Sequence, residues 1–113
     1  MTTADLQQSS EAQALACSIS EFTAEERQRH LQVVEELRAV RQSVRELPDG
    51  YSFQYPSDTH TFLAVAEFIS REHLCCPFFR FTLELEPGPG SVWLRVTGDS
   101  HVKEFLQAET NLV

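Results

Sequence analysis

The sequence predicts an α+β protein, a two-layer sandwich in which a mostly antiparallel sheet carries its helices on one face. Three observations lead there. The clear strand segments alternate apolar and polar residues, so each has one face to bury and one to leave polar. Two longer stretches instead repeat apolar residues every three or four positions, the helical period. The two kinds of segment interleave along 113 residues, a length that supports one core but not two ordinary ones. The expected order is β(weak)-α-β-α-β-β-α, with residues 1–12 a flexible tail and residues 13–113 a single domain. A ferredoxin-like variant is one arrangement with this content.

Residues 1–12 have little apolar character and no periodicity. Leu15, Cys17 and Ile19 alternate with Ala14, Ala16 and Ser18, the pattern of a short strand with Cys17 facing inward. Thr23-Ala24-Glu25-Glu26 then reads as a capping box, in which the Thr hydroxyl and the Glu26 carboxylate each satisfy a backbone N–H of the other residue. Leu31, Val34, Leu37, Val40, Val44 and Leu47 follow at spacings of three and four. They predict a helix of about 24 residues, roughly 35 Å long, stopped by Pro48-Asp49-Gly50.

Tyr51, Phe53 and Tyr55 alternate with Ser52 and Gln54, a half-buried strand. After Pro56, Ser57 or Asp58 can cap a second helix, on which Phe62, Val65, Ala66, Ile69, His73 and Cys76 share one face. Pro77 ends it, because the residue before a proline is pushed out of the helical region. Phe79, Phe81, Leu83 and Leu85 point one way from a third strand. Pro87-Gly88-Pro89-Gly90 turns the chain, and Val92, Leu94 and Val96 alternate on a fourth. Ser100 can cap a last helix whose apolar contacts are Val102, Phe105 and Leu106. The other sheet face carries Arg80, Thr82, Trp93 and Arg95, which either meet solvent or pair with a second copy of the chain in a homodimer.

Net charge is −8, from 17 acidic against 9 basic residues. That opposes nucleic acid as a partner, since phosphate binding depends on Lys and Arg, and it opposes an anionic membrane surface. No apolar run reaches the roughly 20 residues needed to span a bilayer. Ala14-Leu15-Ala16-Cys17 superficially resembles a lipoprotein cleavage site, but Thr2–Gln13 lack the basic start and apolar middle of a signal peptide. Together with an odd cysteine count, three, this gives a cytoplasmic protein without a disulfide framework as the expectation.

Reactive side chains crowd at Glu72-His73-Leu74-Cys75-Cys76-Pro77-Phe78-Phe79. Thiolates suit soft metals and metalloids, Zn and Hg among them. Cys75 and Cys76 supply two ligands, with Cys17, His73 and Glu72 as candidates to complete the set. While the helix persists, Cys75 and Cys76 point in different directions, and Pro77 is what could let them converge. Three other readings stand beside this one. Adjacent cysteines could cycle as a strained, reducible disulfide. They could simply pack, buried Cys being a small hydrophobe, in a non-enzymatic interaction module. A nucleophilic Cys is disfavoured, because a helix C-terminus and the neighbouring Glu72 both oppose thiolate. His30, His60 and His101 sit at positions expected to be solvated, and Asp99-Ser100-His101 is only a sequence neighbourhood, whereas a triad needs spatial geometry.

Glu72 to Phe81 resembles a group of short bacterial proteins sharing an E-x-x-C-C-P-F-[LF]-x-F motif. In that group a Leu-Pro-Asp-Gly-Tyr-type turn precedes the motif, as at 47–51, and a Trp-Leu-Arg-Val-Thr-Gly-like strand follows, as at 93–98. The resemblance spans residues 23–107. It implies no established activity, and a loose association with heavy-metal resistance adds a little to the metal reading.

Overall fold

The computed structural model describes residues 22–108. Helix α1 (Ala24–Val40) leads into strands β1 (Ser43–Leu47) and β2 (Gly50–Tyr55). Helix α2 (Thr59–Cys75), strands β3 (Arg80–Leu85) and β4 (Val92–Thr97) and helix α3 (Ser100–Ala108) complete the chain. The four strands form one antiparallel sheet in the order β1-β2-β4-β3. Since β4 runs antiparallel to both β2 and β3, those two are parallel, and β2-α2-β3 is a split β-α-β unit with β4 inserted between its strands. That unit is the part of a ferredoxin-like sandwich present here, but the chain enters it through α1 and the β1-β2 hairpin rather than through a strand. The expected weak strand around Leu15–Ile19 lies outside the described residues. No helix among those residues is long and apolar enough to cross a membrane.

The α+β sandwich expected from the sequence is present. The capping box forms, Glu26 N–H donating to Thr23 Oγ1 and Thr23 N–H to the Glu26 carboxylate. The helix it starts, however, ends at Val40 and not at Leu47. Residues 43–47 become a strand because Pro48-Asp49 closes a two-residue hairpin with neither φ positive, pairing Leu47 with Gly50 and Val44 with Phe53. The extra spacing matches at Val44 and Leu47 belonged to a strand that satisfies the outer edge of β2. Gly50 sits so close to β4 that a Cβ would lie 2.0 Å from the Val96 carbonyl oxygen.

The core draws Val33, Val34 and Leu37 from α1, Ala64, Val65 and Phe68 from α2, and Val102, Phe105 and Leu106 from α3. These meet Phe53 and Tyr55 of β2 and Leu94 and Val96 of β4, the apolar sheet face. On α1 the buried face therefore begins at His30, and Leu31 is 64% exposed. Asp58 caps α2 through Thr61 N–H. Asp99, rather than Ser100, caps α3, accepting from Val102 N–H.

Helices α1 and α2 lie antiparallel and are tied by side-chain pairs along their length: Arg29 with Glu67, His30 with Glu72, and Glu36 with His60. On the opposite sheet face Trp93 is buried beneath the Arg45 guanidinium, 4.4 Å from the ring centroid. It is a covered residue of that face, whereas Arg80 and Arg95 of the same face are exposed.

Candidate metal centre

The site is built where α2 runs out. Cys75 is the last residue of the helix and Cys76 its cap, with φ −127° and ψ 72°, its N–H still donating to the Glu72 carbonyl oxygen at 2.7 Å. Pro77 forces that departure. Leaving the helical path swings the second side chain round, so the two thiols do converge, Sγ to Sγ at 3.7 Å. The chain then turns, Phe79 N–H donating to the Cys76 carbonyl oxygen. Phe79 packs edge-on to Phe78 and Phe81 and beside Phe105, closing the corner with aromatic surface.

The buried face of α2 is Thr61, Ala64, Val65, Phe68, Glu72 and Cys75, about one residue round from the face predicted from apolar spacing alone. The rotation inverts two expectations. His73, placed on the apolar face with Cys76, is exposed and takes no part in the cluster. Glu72, which is not part of that predicted face, is 5% exposed and points into the core.

A carboxylate tolerates such burial only with partners. The first is His30 of α1, whose Nε2 lies 2.7 Å from Glu72 Oε2. The second is Cys76, whose thiol donates to Glu72 Oε1 over 3.5 Å. His30 is itself buried, stacked on Phe68 with centroids 5.5 Å apart and met edge-on by Phe22. Its Nδ1 has no hydrogen-bond partner among the described residues.

Glu72, Cys75 and Cys76 form the one group of ligand-bearing side chains among the described residues able to hold a metal ion, their donor atoms all within 4.8 Å of one another. Of the five sequence candidates the structure brings these three together, separates His73, and leaves Cys17 outside the described residues. His30 was missed. Expected to be solvated, it is 5% exposed; its signal lies in the helical spacing of 30, 33, 34 and 37, which a purely apolar count replaces with Leu31.

The Cys76 thiol is held protonated well beyond its ordinary range, first by burial, then by the charge of Glu72 and the neighbouring Cys75. A free nucleophilic thiolate is therefore disfavoured here, as the helix end and Glu72 already indicated. What the arrangement can do is bind a cation that displaces the thiol proton, because metal coordination and deprotonation are coupled. No protein-family model matches the chain, and neither a curated protein nor a solved structure matches it significantly.

Proposed function

We propose that this protein binds a soft metal ion or metalloid through the thiolates of Cys75 and Cys76. The approach of their sulfurs to 3.7 Å, alongside the Glu72 carboxylate, carries the reading. Two thiols and a carboxylate share one dehydrated place, so ionising the thiols there is costly without a cation. A thiophilic ion replacing the thiol protons removes that cost, and sulfur donors select for such ions. Burial of Cys75 and Cys76 to 2% and 1% exposure supports the competing reading, in which the pair only packs.

Native mass spectrometry of the reduced chain separates the two. The protein is given one equivalent of Zn(II), Hg(II) or arsenite, then challenged with excess glutathione. One ion held per chain, and lost in a Cys75→Ser/Cys76→Ser variant, supports binding. A wild-type chain that retains nothing, with the variant merely less stable, leaves the cysteines as core.

A further inference from the structure

We infer that the site is shaped for a tetrahedral divalent ion of the zinc type, with Glu72 as an oxygen ligand and His30 as its positioning residue, and against two-coordinate ions such as Cu(I) and Hg(II). The inference rests on the metal-binding reading above and deepens it.

Donor spacing is the argument. Two thiolates bound at about 2.3 Å around a tetrahedral centre stand about 3.8 Å apart. A thiolate and a carboxylate oxygen at about 2.3 and 2.0 Å stand about 3.5 Å apart. The sulfurs here are 3.7 Å apart and Glu72 Oε1 is 3.5 Å from Cys76 Sγ, two edges of such a tetrahedron. A linear two-thiolate centre with similar bonds needs its sulfurs at about 4.6 Å. Reaching that would push Cys75 and Cys76 apart at a corner fixed by Pro77 and packed by Phe79.

The donor types agree with the spacing. A carboxylate adds little to a purely thiophilic ion, whereas zinc takes sulfur and oxygen together. His30 Nε2 is bonded to Oε2, which leaves Oε1 turned toward the Cys76 sulfur. Ligands held this way by an outer partner keep their orientation, and losing such partners typically costs about 10- to 100-fold in affinity. Three protein donors leave the fourth vertex of a tetrahedral ion to one further donor.

Co(II) tests this as a spectroscopic stand-in for Zn(II), on the reduced full chain, with Cu(I) in a parallel competition. The expected result is an intense tetrahedral d–d spectrum with a thiolate charge-transfer band, abolished by one equivalent of Zn(II). Glu72→Gln and His30→Gln should weaken Zn(II) binding, the latter about 10- to 100-fold, and leave Cu(I) binding unchanged. A purely structural role would lower both affinities together and overturn the assignment of His30. Tight Cu(I) or Hg(II) binding beside a weak, octahedral Co(II) spectrum would overturn the tetrahedral inference and leave thiol-based binding standing. Retention of no ion at all would remove both.

Discussion

His30 Nε2 and Glu72 Oε2 lie 2.7 Å apart in the core, joining α1 to α2 across 42 residues of chain. The pair explains how a charged residue occupies the buried face of α2 and why that face is turned about one residue from the apolar reading. Removing one partner should be worse than removing both, because the survivor keeps its desolvation cost. Glu72→Met or His30→Leu alone should each lose about 2 kcal/mol. A His30→Leu/Glu72→Met variant should recover most of that. Urea titrations of the four proteins give the coupling directly, and additive losses would contradict it.

The pair also marks what the sequence could and could not reveal. Alternation in β2, β3 and β4, the Thr23 capping box and the Pro77 stop were all legible, since each depends on residues within a few positions of one another. The burial of the site's oxygen and its support were not. Glu72 is legible as a candidate ligand beside the cysteines, but its place on the buried face depends on His30, and that contact is tertiary. The fate of Val44 and Leu47 was equally non-local. Their spacing suits a helix, and the edge of β2 decides otherwise.

Gly50 should not tolerate a side chain. It pairs with Leu47 at one side and Thr97 at the other, and an added Cβ would fall within 2.0 Å of the Val96 carbonyl oxygen and 2.9 Å of the Thr97 Cα. Backbone on that side cannot yield without opening the β2-β4 ladder. Gly50→Ala should cost about 3 kcal/mol, at the upper end of overpacking effects. A Tm within a degree of wild type would show that the two strands separate more easily than this packing allows.

Glu67 gives the protein an acid-sensitive contact. Arg29 of α1 grips both its carboxylate oxygens at 2.7 and 2.8 Å, and Arg71 adds a third bond. Hydrogen bonding from Arg29 leads the causes that hold its pKa down, to about 2 against an ordinary 4.5. A depressed carboxylate stabilises the fold above its unfolded pKa and loses that contribution as pH falls through the folded value. Stability should therefore decline between roughly pH 4.5 and 2. Glu67→Gln should flatten that part of the curve. The effect is modest, because Arg29 is 48% exposed and solvent screens the pair. Identical acid slopes in the two proteins would place the sensitivity elsewhere.

Tyr55 adds to an alkaline sensitivity that the buried Cys76 thiol begins at lower pH. Its ring is fully buried in β2, its hydroxyl has no hydrogen-bond partner among the described residues, and burial pushes its pKa upward, opposed only weakly by Arg41. A raised acid pKa means that the folded state keeps the neutral phenol while the unfolded chain ionises near pH 10, so this group costs no stability below about pH 10 and an increasing amount above it. Tyr55→Phe removes both the titrating group and the desolvated hydroxyl. At neutral pH it should match wild type or gain up to about 1 kcal/mol, since deleting an unpaired buried polar group while keeping the ring volume is neutral to stabilising. Above pH 10 the gap should widen, as wild type weakens and the variant does not share that loss. Tm measured from pH 7 to 11 for both proteins checks this. A Tyr55→Phe loss of 1 kcal/mol or more at pH 7 would instead reveal a partner for the hydroxyl that the described residues do not supply.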